Sequence, residues 1–310
     1  MLATLLPAIF SMGVDNSSAD EPLQQQDVVY GESHGVGLVM DIFTPTGPKN
    51  GLAVVDVISG AWSSSRGKIR DHQRAQFFSI LCGRGYTVFA IRPGSISKFT
   101  IAEMVDHLQQ GVVWIKQHAD EYDIDIQRIG LTGASAGGHL ASLLAVKNLS
   151  SAVRGGADTA SVKAVAVFFP PTDLVQFGSQ DASSGEVTSI AQRVAFPNGA
   201  GDATPEQILK QLTEISPARL VTADAPPFLL IHGTADDVVP LEQSQKLITA
   251  LREQGVSAEL ILKQGGGHPW LTIHEEVAKL ADWFDHQLGN SLGGTRPERS
   301  EPKTTTILRR

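Results

Sequence analysis

The segment Ile129-Gly-Leu-Thr-Gly133-Ala134-Ser135-Ala136-Gly137-Gly138-His139-Leu140 sets a serine between two glycines at G-x-S-x-G spacing. An apolar run precedes it and an Ala/Leu-rich run follows. A serine hydroxyl can attack a carbonyl only if it is lifted clear of its surroundings and handed to a base. A sharp strand-to-helix turn does the lifting, and small neighbours at 133 and 137 let the backbone pack tightly around it. The start of the helix also favours the negative charge that develops during attack. The bland alternative is a glycine-rich turn. The strand-like and helix-like runs on either side favour Ser135 as a nucleophile.

A base and an orienting carboxylate must then come from elsewhere in the chain. The run Phe228-Leu-Leu-Ile231 leads into His232-Gly233-Thr234-Ala235-Asp236-Asp237-Val238-Val239-Pro240, which supplies a carboxylate at Asp236. The run Ala258 to Leu262 leads into Gly265-Gly266-Gly267-His268-Pro269-Trp270, which supplies an imidazole at His268. One histidine among nine is ordinarily structural. Nucleophile, acid and histidine, in that order and each after a strand, follow the pattern of α/β-hydrolases. For the oxyanion, the donors expected are the N–H of Ala136 and backbone amides of the small-residue loop Ile58-Ser59-Gly60-Ala61-Trp62, whose bland reading is an ordinary tight turn.

Such residues need a rigid frame. Gly37 to Phe43 alternates like an antiparallel strand. Leu52 to Ile58, Thr87 to Ile91, Ile129 to Thr132, Val162 to Phe169, Phe228 to Ile231 and Ala258 to Leu262 are short apolar runs, as buried parallel strands are. Amphipathic segments near 66–83, 100–118, 135–147, 241–254 and 274–288 separate them. In the second, Met104, Val105, Leu108, Val112 and Ile115 share one helical face. This alternation predicts a doubly wound, mostly parallel α/β sheet over residues 28–288. Residues 174–216 interrupt it with two short helical patterns and no strand, and read as a lid inserted at the sheet's carboxyl edge. Residues 289–310 lack periodicity and read as a disordered tail. In the N-terminal segment 1–27, Leu2 to Met12 is apolar but has no Lys or Arg before it. Signal peptide and unstructured start both remain open, as do secreted, periplasmic and cytoplasmic locations.

With these motifs the chain resembles the α/β-hydrolase superfamily, near bacterial carboxylesterases related to hormone-sensitive lipase and to feruloyl and acetyl-xylan esterases. The resemblance rests on Gly-Ala-Ser-Ala-Gly-Gly-His-Leu at 133–140, His-Gly-x-x-Asp-x-x-Val-Pro at 232–240 and Gly-Gly-His at 266–268. It implies an α/β-hydrolase fold with a small lid and a serine esterase using Ser135, His268 and Asp236, with no cofactor. Relatives carry His-Gly-Gly-Gly-Trp where this chain has Ile58-Ser59-Gly60-Ala61-Trp62. Gly60 and Ala61 therefore match the second and third glycines, and the loop histidine is missing.

Four further residues carry paired readings. Trp62 and Trp270 either wall an acyl or aryl pocket or simply pack, and Asp173 either lines the site or caps the following segment. His139 reads as a hydrogen-bonded core histidine rather than a second base. No metal is expected, because His232, Asp236 and Asp237 lack ligand spacing. Composition narrows the partners. Lys and Arg number 25 against 33 Asp and Glu, a net charge of −8 that disfavours nucleic acid. No apolar run nears the roughly 18 residues of a membrane span, and the single Cys82 excludes an intrachain disulfide. A small-molecule or carbohydrate-linked ester is the expected substrate. The alternatives are a serine peptidase of the same fold and a non-catalytic hydrolase-like binding protein. A nucleotide-binding oxidoreductase fails, since the glycines do not follow the first strand. Acyl length, alcohol and oligomeric state leave no mark on the pattern.

Overall fold

Ala53–Val57 is buried at every residue because helices cover both of its faces, and the strands beside it are buried up to their half-buried last residues, Arg92 and Ala134. The computed structural model describes residues 21–147, 160–184, 189–196, 199 and 201–289. Its strands are β1 (Leu23–Ser33), β2 (Val36–Thr44), β3 (Ala53–Val57), β4 (Thr87–Arg92), β5 (Ile129–Ala134), β6 (Ala164–Phe168), β7 (Gln176–Phe177), β8 (Gln180–Asp181), β9 (Phe228–Gly233) and β10 (Ala258–Lys263). Eight of them form one sheet in the order β1-β2-β4-β3-β5-β6-β9-β10. The pairs β1–β2 and β2–β4 are antiparallel and all others parallel. This is the α/β-hydrolase fold.

The helices are α1 (Arg66–Arg74), α2 (Phe77–Gly83), α3 (Ile101–Gln117), α4 (Ala119–Tyr122), α5 (Ala136–Lys147), α6 (Ser189–Ala195), α7 (Pro205–Glu214), α8 (Glu242–Glu253) and α9 (Ile273–Gly289). On one face of the sheet, Leu108 and Val112 of α3, Leu140 and Leu144 of α5 and Leu247 of α8 belong to one buried cluster with Val55 and Val57. On the other, Phe78 and Leu81 of α2 and Leu280 and Phe284 of α9 belong to a second cluster with Val54 and Ala166. The predicted face of α3 is buried in full, and Thr100 and Glu103 close a capping box at its start.

Three expectations are corrected. The sheet begins at Leu23, not 28. Gln24, Gln25 and Gln26 conceal an edge strand that Gln24 and the Asp27 N–H fasten to Asp41. The helical segment near 66–83 breaks into two, with Gln76 in the left-handed region at φ 57°. That break lets a polar helix burying only Ile69 give way to one burying Phe77, Phe78, Leu81 and Cys82. Residues 174–216 contain a short ribbon, β7 with β8, where no strand was expected. Expectations for residues 1–20 and 290–310 lie outside the described residues.

Candidate active site

The turn from β5 into α5 holds Ser135 at φ 54°, a strained conformation for a residue with a side chain. Its N–H donates to the Phe168 carbonyl at 2.9 Å, which ties the turn to the end of β6. The glycines are there for space. A Cβ on Gly133 would lie 2.5 Å from the Gly137 carbonyl carbon, and one on Gly137 would run into the Val57 carbonyl oxygen. With both bare, helix α5 sits directly against the sheet and the hydroxyl stands at its head.

β9 and β10 end beside one another, and their loops are laced by Ala235 N–H to Gly266 O at 2.9 Å and Thr234 N–H to Lys263 O at 2.9 Å. This brings Asp236 to His268: carboxylate Oδ2 and imidazole Nδ1 are 2.7 Å apart. His268 Nε2 lies 2.9 Å from Ser135 Oγ. The other oxygen of Asp236, Oδ1, accepts the N–H groups of Val238 and Val239, each at 2.9 Å. Burial pushes the Asp236 carboxyl up, but hydrogen bonds from His232, His268 and Val239 outweigh it and hold the group well below the usual carboxylate range. Asp236 is thus an anion that accepts the Nδ1–H, leaving the Nε2 lone pair aimed at the serine. Asp237 is exposed. Both nitrogens of His232 are engaged, by Ser244 Oγ at 2.7 Å and the Val239 carbonyl at 2.9 Å.

In the loop expected to face the oxyanion, one of the three expected donors is already hydrogen-bonded within the loop. Gly60-Ala61-Trp62-Ser63 closes as a two-residue turn, Gly60 N–H donating to Ser63 O at 3.0 Å and Ser63 N–H returning to Gly60 O at 2.9 Å. The Gly60 amide is therefore engaged. Among the described residues the N–H groups of Ala61 and Ala136 make no hydrogen bond, and Gly137 N–H fastens the loop to α5 through Ser59 O at 3.2 Å. Ala61 and Trp62 both have positive φ, 48° and 56°. A left-handed conformation costs about 1–2 kcal/mol for each such residue, so the turn must be held from outside.

The remaining predicted residues resolve toward packing. Trp62 is only 5% exposed, with its indole N–H on His139 Nδ1 at 2.9 Å. Asp173 is buried. It accepts Val175 N–H and Gln176 N–H at 3.1 and 3.2 Å and a bidentate Arg219 at 2.7 and 3.0 Å. Trp270 is half-buried, its indole N–H on Glu276 at 2.8 Å and its ring on Phe169 at 5.8 Å between centroids. Sequence reasoning missed Phe169, whose ring supports the His268 imidazole at 4.3 Å. Its only signal was its place as the last apolar residue of the β6 run.

Known proteins share this frame. The probable carboxylic ester hydrolase LipM of Mycobacterium tuberculosis is 29% identical over 234 residues, 73% of this chain and 51% of LipM. The chain spans about half the length of the curated relatives it matches. Esterase Est2 of the planctomycete Thermogutta terrifontis superposes with a TM-score of 0.66 at 25% identity, covering 88% of this chain and 94% of that one. That esterase is also known phosphonylated by sarin. A truncated carbohydrate esterase from gut microbiota shares the fold, with a TM-score of 0.69 at 24% identity over 88% of this chain and 99% of that one. No helix among the described residues is long and apolar enough to cross a membrane. The BD-FAE family model matches residues 40–251. The chain belongs to the BD-FAE family and has an α/β-hydrolase fold.

Proposed function

We propose that this chain is a serine carboxylester hydrolase acting on short-chain or carbohydrate-linked esters. One observation carries the reading: the unbroken line from Ser135 Oγ through His268 to the Asp236 anion, with links of 2.9 and 2.7 Å. Ser135 Oγ bonds to the ester carbonyl carbon as its proton passes to His268 Nε2. The carbonyl π electrons move onto oxygen, and the N–H groups of Ala136 and Ala61 meet that charge. Asp236 stabilises the imidazolium without taking its proton. When the tetrahedral centre collapses, the C–O bond to the alcohol breaks and His268 returns the proton to the leaving oxygen. Water then attacks the acyl-enzyme by the same route, releasing the acid and restoring Ser135.

The segment 174–216 follows the strand end that carries Phe169, and as a lid it would select among acyl and alcohol groups. Support for an ester substrate comes from the esterases among the relatives and neighbours. The test is stoichiometric labelling by a fluorophosphonate, with initial rates on acetyl, butyryl, octanoyl and feruloyl esters, acetylated xylan and aminoacyl-anilides. Labelling at Ser135 and turnover of esters above anilides are expected. Ser135→Ala should reduce turnover by a factor on the order of a million without changing the melting curve. A variant keeping more than a few per cent of activity would sink the reading, and preference for anilides would turn it to the peptidase alternative.

A further inference from the structure

His139 is fully buried one helical turn beyond Ser135, and no step of the reaction above uses it. Its Nδ1 faces the Trp62 indole N–H at 2.9 Å and its Nε2 faces the Ile215 carbonyl at 2.8 Å. An indole nitrogen only donates and a carbonyl only accepts, so one arrangement satisfies both. His139 is neutral, with its proton on Nε2. The imidazole thus spans from the oxyanion turn to Ile215, the residue that ends α7 of the inserted segment. The turn it holds is the one with two consecutive left-handed residues, Ala61 and Trp62. On its other side the turn is held by Ile96 N–H on Trp62 O at 2.8 Å and by the Ser64 hydroxyl, 2.8 Å from both the Ile58 and Gly94 carbonyls. Among the described residues, the hydrogen bond that reaches the Trp62 side chain from the helix carrying the nucleophile is the one to His139.

We propose that His139 is a positioning residue for oxyanion stabilisation: through the Trp62 indole it fixes the turn that presents the Ala61 amide, and through Ile215 it ties that turn to the inserted segment. This rests on the serine esterase reading and adds a residue outside the triad. The consequence is a loss confined to transition-state stabilisation. A misplacement of about an ångström at a catalytic group can cost a hundredfold.

The test compares His139→Leu, His139→Gln and Trp62→Phe on a soluble short-chain p-nitrophenyl ester, with active sites counted by fluorophosphonate labelling carried to completion. His139→Leu and Trp62→Phe should each lower kcat per labelled site about 10- to 100-fold and change KM less than about threefold. The double variant should lose no more than the worse single one. His139→Gln should recover most of the rate, because an amide offers an acceptor and a donor on neighbouring atoms as imidazole does. The pH at which kcat/KM rises should be the same in all of them, since His268 and Asp236 are untouched. If kcat per labelled site is unchanged in His139→Leu, or if Trp62→Phe is silent, the proposal is overturned. Should His139→Leu fail to fold, Trp62→Phe and His139→Gln still decide it. If Ser135→Ala remains active, the esterase reading itself has failed, a separate result.

Discussion

Lowering the pH from 7 to 4 should destabilise the protein through His139, by an amount the site itself sets. Burial pushes this imidazole down to about 4, although the Ile215 carbonyl bond pulls it back in part. In the unfolded chain it titrates near about 6.5. Between those two values the unfolded state holds a proton that the folded state does not, so stability rises with pH across the window. The contribution is complete above pH 6.5, falls as pH drops, and levels off below about 4. At about 1.4 kcal/mol per pH unit, the interval amounts to about 3 kcal/mol. His72 acts in the opposite sense. Burial lowers it, but the Asp56 carboxylate 2.7 Å away outweighs this and raises it, so its contribution is present at low pH and fades as pH rises. The measurement must therefore be a difference. Urea unfolding of wild type and His139→Gln at half-unit steps from pH 4 to 7.5 cancels His72 and the carboxylates. From pH 7 to pH 4 the wild type should lose about 3 kcal/mol relative to His139→Gln. Curves parallel to within about 1 kcal/mol would refute a neutral, buried His139.

Asp236→Asn should keep the geometry but favour the wrong tautomer of His268, lowering kcat on the order of ten-thousand-fold. Asp237→Asn, at an exposed position, should cost less than about tenfold. The opposite ranking in a single p-nitrophenyl ester assay would reassign the acid. Gly137→Ala should destabilise by about 1–3 kcal/mol and slow turnover, because its Cβ meets the Val57 carbonyl just before the oxyanion turn. Gly37→Ala, with open space around it, is the control, and equal melting temperatures for the two would refute the packing argument. Burial pushes the Cys82 thiol up to about 12, so at pH 8 a disulfide reagent should react with it far more slowly in native protein than in urea. Equal rates would show that α2 does not seal it.

What could be read in advance was whatever local pattern encodes. Parallel strands such as Phe228–Gly233 are apolar throughout because both faces are covered. A catalytic loop at a strand end reveals itself through the glycines that let it turn back, as at 265–267. The rest depended on partners far away in the chain. β1 reads as a polar segment because an edge strand can be wet on both sides. The Gly60 amide was lost to a turn closed by Ser63. The inward course of Trp62 follows from a hydrogen bond to a residue 77 positions later, and the clamp on Asp173 from Arg219, 46 positions later. None of these leaves a periodicity.

Ser135 and His268 are separated by 133 residues, and His268 and Asp236 by 32. All three stand on strand ends of the same half of the sheet, β5, β9 and β10, with β6 between. During synthesis Ser135 is made long before His268. The array cannot assemble until β10 has emerged and docked against β9. Recovery of a serine-directed label during refolding therefore times that last docking event, separately from the far-ultraviolet signal that reports helices and earlier strands. The nascent chain carries a disarmed serine for as long as its final strand is unmade.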